Sequence, residues 1–174
     1  MANKDLSNWL VVSDIDGTLN NKLRRLPKRN FEAIKHFVLK CNGHFTLASG
    51  RNVESMRKHY DRLPIKGTPA VVLNGAGVYD YAQEKMLYFT PINQTAVDVV
   101  FDIYKRFPSL EIEILTDKVI YTLNSKIFAP CMVLADKLHC VNCKSVDEVP
   151  RENWGKVIFL GVPSLISAVK KYAL

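Results

Sequence analysis

Short apolar runs alternate along the chain with longer stretches whose apolar residues recur every third or fourth position, and this alternation predicts most of the elements. Trp9 to Ser13 is too short for an ordinary helix and reads as a buried strand ending in turn chemistry. Phe31, Ile34, Phe37, Val38 and Cys41 then recur at helical spacing, with Pro27 before the run and Gly43 after it. HFTLASGR, residues 44–51, is a second apolar strand, and a helix from Val53 to about Arg62 follows. AVVLNGAG, residues 70–77, repeats the passage from apolar strand into glycine-rich loop. Strand, helix, strand, helix, strand predicts an α/β fold with a parallel sheet. Ligands of such sheets gather outside the carboxyl ends of the strands. Asp14, Asp16, Ser49 and Asn74 all stand at or just past those ends.

Between about Tyr81 and Glu84 the pattern changes. Val97, Val100, Phe101 and Tyr104 mark a helix ending near Pro108, and EIEILTDKVIYTL, residues 111–123, reads as two strands meeting at a Thr-Asp-Lys turn. A helix over Phe128 to Leu138, a strand at KVIFLG (residues 156–161) and a helix beginning near Ser164 complete a mixed α+β half. The expected division is therefore a core over residues 1–81 and a second domain over 82–174.

Composition narrows the function classes. With 48% hydrophobic and 24% charged residues, the chain has the balance of a soluble globular protein. MANKDLSNWLVV has no basic region followed by a long apolar stretch, and Asp14 interrupts the only early apolar run. No signal peptide or membrane span is expected, and the expected location is cytoplasmic. Cys41, Cys131, Cys140 and Cys143 do not form a secreted disulfide framework, which agrees with a reducing compartment. His139, Cys140 and Cys143 invite a zinc reading, but no second Cys or His pair stands at suitable spacing, so packed thiols are expected. The net charge of +7 is densest at NKLRRLPKR, residues 21–29. That run lacks the interleaved aromatics of a nucleic-acid surface and fits an approach to a small phosphorylated substrate.

The chemistry concentrates in Asp14-Ile15-Asp16-Gly17-Thr18. Carboxylates at i and i+2 on an extended exit project to one side, where their repulsion is costly unless a cation or shared proton offsets it. A calcium loop does not fit, because the glycine is misplaced, Arg25 stands where the closing Glu should be, and a strand comes first. Mg2+ held by Asp14 and Asp16 against a phosphoryl group fits better, since the ion takes oxygen ligands and keeps waters.

Asp14-Ile15-Asp16-Gly17-Thr18-Leu19, then Ser49-Gly50-Arg51 and Asn74-Gly75-Ala76, each behind an apolar strand, resemble the first two motifs and third-strand loop of haloacid dehalogenase superfamily phosphatases. In order and spacing they most resemble the type IIB-capped, sugar-phosphatase-like members. The resemblance implies a Rossmann-like core with an inserted α+β cap, Mg2+ as cofactor, and small phosphorylated metabolites as substrates. By it Asp14 is the nucleophile and forms an aspartyl-phosphate. Asp16 is general acid and then general base. Ser49 donates its hydroxyl to the phosphoryl group, Gly50 leaves room, and Gly17 and Thr18 offer backbone N–H groups. Arg51 either binds substrate or neutralises the acidic cluster, and Asn74 either orients substrate or serves only as an Asn-Gly turn.

Relatives of this type resume the core after the cap and supply a lysine and a Gly-Asp-x-x-Asn-Asp-like loop, and no such loop occurs here. The expectation is a chain truncated within its cap, with weak or absent hydrolysis. Three alternatives stay open: a fragment that binds phosphorylated ligands, one that pairs with another chain or its own copy to cover an open sheet edge, and a phosphomutase or phosphotransferase.

Overall fold

The computed structural model describes residues 4–126 and 140–173; the expected helix over 128–138 and Cys131 lie outside them. The chain divides into two compact units, Met1–Phe89 and Thr90–Leu174.

The first unit runs β1 (Leu10–Ser13), α1 (Lys28–Lys40), β2 (His44–Leu47), α2 (Val53–Tyr60), β3 (Ala70–Val72), β4 (Gly77–Asp80) and β5 (Lys85–Phe89). β1 pairs with β2 in parallel, Leu10 opposite His44 and Ser13 opposite Leu47. Just past β2, Ala48 bridges in parallel to Val71, so β3 follows as the next strand. The parallel order read from the sequence is thus present for three strands. α1 packs on β2 and buries Ile34 and Val38. Between them the chain reverses on Asn42 in the left-handed region, and Gly43 leaves room for the tip of the Phe37 ring, which a Cβ there would displace.

β1 departs from expectation. Instead of being buried, Trp9, Leu10, Val11 and Val12 are 60%, 56%, 39% and 48% exposed. The apolar run foretells a strand with neighbours on both sides, but β1 pairs only with β2, and its other edge is open among the described residues. β4 and β5 form an antiparallel hairpin on β3, so the first unit extends to Phe89, past the change of pattern near Tyr81.

The second unit carries α3 (Gln94–Arg106), β6 (Glu111–Thr116), β7 (Ile120–Leu123), β8 (Cys140–Cys143), β9 (Trp154–Leu160) and α4 (Pro163–Ala173). Its sheet is ordered β8-β7-β6-β9, with β6 antiparallel to both β7 and β9 and β7 parallel to β8. The Thr116-Asp117-Lys118 turn lies where the sequence puts it, closed by Thr116 accepting from Lys118 and Val119 and donating to the Val119 carbonyl. Period-two alternation sends Ile112 and Ile114 into a core with Val97, Val100, Phe101, Ile103, Leu123, Trp154 and Val169. Glu111 and Glu113 take the opposite face and are also buried. Burial pushes the Glu113 carboxyl up, with Lys156 opposing and Glu111 reinforcing the shift. Cys140 and Cys143, three apart on a strand, point to opposite faces, and burial raises both thiols. No described helix is long and apolar enough to cross a membrane.

Candidate active site

The site is built where β1, β2 and β3 end, and main-chain hydrogen bonds lace the three exits together. The Ala48 amide donates to the Ser13 carbonyl at 2.9 Å. The Ser49 amide donates to Val71, Leu73 to Arg51 and Asn74 to Ser49, at 3.0, 2.9 and 3.1 Å. The ladder thus runs on past the strands and holds Asp14, Ser49-Gly50-Arg51 and Asn74 at one edge of the sheet.

After Asp14 the chain makes a wide turn, Ile15–Leu19, in which Leu19 N–H donates to the Asp14 carbonyl and Asn20 N–H to that of Ile15. The turn depends on Gly17, whose φ of 85° suits glycine; open space surrounds the missing Cβ, so its reason is backbone conformation. Ile15 and Leu19 are buried, which leaves Asp14, Asp16, Gly17 and Thr18 exposed on the outer side. Both carboxylates therefore face solvent.

Arg51 forms an ion pair with Asp16. Its Nε and Nη2 donate to the same oxygen, Oδ2 of Asp16, at 3.2 and 2.9 Å, so the guanidinium neutralises half of the acidic pair. The Arg51 side chain is 14% exposed and that of Asp16 46%. The Arg51 amide also donates to Ser49 Oγ at 3.4 Å, orienting the hydroxyl within the loop. Asn74 sits in a left-handed turn with φ of 58°, between Leu73 at 54° and Gly75 at 99°. The Asn-Gly turn is therefore real, and it leaves the Asn74 side chain exposed at the same edge.

Among the described residues, no three His, Cys, Asp or Glu side chains converge as a metal cage. The donor set is oxygen only, and the exposed Asp14 carboxylate bonds to no described side chain. Such a set suits a hard ion that keeps most of its waters.

Sequence reasoning missed His59, which stands in α2 among Met56, Tyr60 and Leu63, where helical periodicity calls for an apolar residue. Burial, with the Arg51 and Lys58 cations nearby, pushes its pKa from 6.5 down to about 4. The folded state thus binds fewer protons than the unfolded state between those values. Stability from this group is present above pH 6.5 and is lost as pH falls towards 4. A shift of that size corresponds to about 3 kcal/mol, which solvent screening of a half-buried ring reduces to about 1–2 kcal/mol. Urea unfolding at pH 7 and pH 5 should show this dependence in the wild type, and His59→Leu should lose most of it. An identical pH slope in both proteins would contradict the assignment.

A family profile described as haloacid dehalogenase-like hydrolase matches residues 11–172. No curated protein matches the sequence. Among solved structures, a haloacid dehalogenase-like hydrolase from Bacteroides thetaiotaomicron superposes with a TM-score of 0.78 at 21% identity, over 94% of this chain and 62% of that one. TM0651 from Thermotoga maritima gives 0.72 at 19% identity, over 94% and 60%. The subclass IIB sugar phosphatase BT4131 gives 0.72 at 15%, over 94% and 62%. The chain therefore spans about three fifths of the length of the structures it matches. With the profile covering nearly all of the sequence, and three motif-bearing strand exits laced into one edge, the chain belongs to the haloacid dehalogenase-like hydrolases.

Proposed function

We propose that this chain hydrolyses small phosphate monoesters, such as sugar phosphates, in an Mg2+-dependent reaction in the cytoplasm, through an aspartyl-phosphate on Asp14. The observation that carries the reading is the laced edge, which sets an exposed carboxylate, a loop serine and an arginine at the ends of neighbouring parallel strands.

In this mechanism an Asp14 oxygen attacks phosphorus as the ester P–O bond breaks, and Asp16 gives its proton to the departing alkoxide. Asp16 then takes a proton from the water that attacks the aspartyl-phosphate, which releases orthophosphate and restores Asp14. The Arg51 guanidinium holds Asp16 Oδ2 in an ion pair. Transfer of the guanidinium from Asp16 to an arriving phosphate would free that carboxyl oxygen to serve the departing alkoxide. Ser49 Oγ and the N–H groups of Gly17 and Thr18 hydrogen-bond the phosphoryl oxygens, with Gly50 permitting close approach. The Asp14 carboxylate with an oxygen of Asp16 would hold Mg2+, which would supply charge to offset the carboxylate and phosphoryl oxygens. The second unit occupies the stretch where the resemblance expects a cap, and its side chains are the candidates for substrate selection.

With p-nitrophenyl phosphate as substrate, chelation of Mg2+ is expected to lower phosphate release on the order of 100-fold, and adding the ion back restores it. Release at the same rate with chelator present would refute the metal-dependent mechanism.

A second reading is favoured by the exposed apolar β1: the chain binds phosphorylated ligands but works only when another chain, or a second copy, covers that edge. It expects inactive monomers and a sedimenting species larger than one chain when activity appears. A fully active monomer would exclude it.

A further inference from the structure

The basic run of residues 21–29 has no part in the chemistry above, yet one of its arginines is built into a recess of the first unit. Asn21 Oδ1 accepts from the Leu23 and Arg25 amides, both at 3.0 Å, and Asn21 N–H donates to the Arg25 carbonyl. This ring of bonds fixes a tight loop with Arg24 at φ of 55°. Asn30 Nδ2 ties the segment to α1 through the Leu19 carbonyl at 2.9 Å. The loop faces the end of α2, and between them lies a small recess open at its mouth.

Its polar lining is Asn20, Arg24, His59 and Arg62, and its remaining walls are leucines. Asn20 is 7% exposed, and its Nδ2 has no hydrogen-bond partner. The Nε2 of His59 is likewise buried and unpartnered. An unpaired buried polar nitrogen is costly, so the Asn20 amide, and the His59 ring in the tautomer that carries its proton on Nε2, call for an acceptor with more than one oxygen. Arg24 and Arg62 are exposed cations, and no lining residue is acidic. A metal ion would meet repulsion. A water molecule could satisfy one nitrogen, whereas an anion would meet both nitrogens and the two guanidinium groups at the mouth at once.

We propose that this recess binds a small tetrahedral oxyanion of the phosphate class, gripped by the Asn20 amide and the His59 ring within and by Arg24 and Arg62 at the mouth. The leucine walls limit water around the inner contacts and strengthen the hydrogen bonds made there. The anion is either free orthophosphate or the phosphoryl group of an organic ester. The site uses neither Asp14 nor Ser49, so it stands whether or not the chain hydrolyses anything.

The test is an NMR titration of the full 174-residue chain with inorganic phosphate at pH 7 and constant ionic strength, following the Asn20 side-chain amide and the His59 ring. Both signals should shift saturably. Combined Arg24→Ala and Arg62→Ala substitution should weaken the apparent affinity about 10-fold or more, while Arg24→Lys with Arg62→Lys retains part of it. Ser49→Ala should leave the affinity within about twofold, because Ser49 lies outside the recess. Free phosphate as the ligand predicts that glycerol phosphate competes poorly; an ester-borne phosphoryl group predicts that it binds as well or better. The proposal is overturned if neither signal shifts at about 50 mM phosphate, if chloride gives the same shift, or if the double alanine variant titrates like the wild type.

Discussion

Replacing Asp14 with Asn is expected to reduce phosphate release from p-nitrophenyl phosphate on the order of 1,000-fold or more. The amide keeps the size and planarity of the carboxylate but lacks the anionic oxygen that attacks phosphorus. Because Asp14 is exposed and bonds to no described side chain, the change should leave folding almost untouched, and far-UV circular dichroism of the variant should overlay that of the wild type. Asp16→Asn offers an internal contrast. With p-nitrophenolate, a good leaving group that needs no proton, it should spare the first step relative to an alkyl phosphate, while still slowing the water attack. If Asp14→Asn releases phosphate at the wild-type rate, the aspartyl-phosphate mechanism does not operate in this polypeptide.

The largest expected loss of stability is that of Trp154→Ala, about 3–5 kcal/mol in the second unit. The indole is fully buried and stacks on Phe101 with ring centroids 6.1 Å apart. Its Nε1 donates to the Pro150 carbonyl at 2.5 Å, and the main-chain carbonyl of the same residue accepts from Ile92 at 2.7 Å. Truncation opens a cavity at the meeting point of β6, β9 and α3, and leaves the Pro150 carbonyl without this donor. Trp154→Phe should cost less, since it keeps most of the apolar volume. Guanidinium unfolding followed by circular dichroism measures both. A cost below about 1 kcal/mol for the alanine variant would mean that the second unit does not rely on this packing.

The chemistry at the strand exits was legible because it is written locally. Asp-Ile-Asp-Gly-Thr, Ser-Gly-Arg and Asn-Gly each follow an apolar run directly, so parallel order alone brings them to one edge. The β6–β7 turn was legible for the same reason, through Thr116 and its neighbours. The β4–β5 hairpin was not. Its turn contains neither Gly nor Asn: Glu84 takes the left-handed conformation at φ of 53°, and the Asp80 carboxylate closes the turn by accepting from Ala82 and Gln83 at 2.8 and 3.0 Å. Only that aspartate could have signalled it. The exposure of β1 was illegible in principle, since an apolar run records that a strand is fit for burial and not whether anything lies beside it. His59 and Asn20 were hidden too, because their importance lies in what their nitrogens lack.

Arg51 shows how far residue type carries. Its sequence allowed either a hand on the substrate or a counter-charge, and in the structure its guanidinium pairs with Asp16. Both roles become stages of one cycle if phosphate arrival draws the guanidinium across.

The bare ribbon at Leu10–Ser13 also makes concentration a variable in every measurement on this chain. Three greasy side chains beside an edge left unpaired among the described residues will zip sideways onto like ribbons as the solution thickens, so assays and spectra belong at high dilution, with turbidity watched. A single lysine in place of Val12 should slow that clumping, at the risk of barring whatever normally lies alongside.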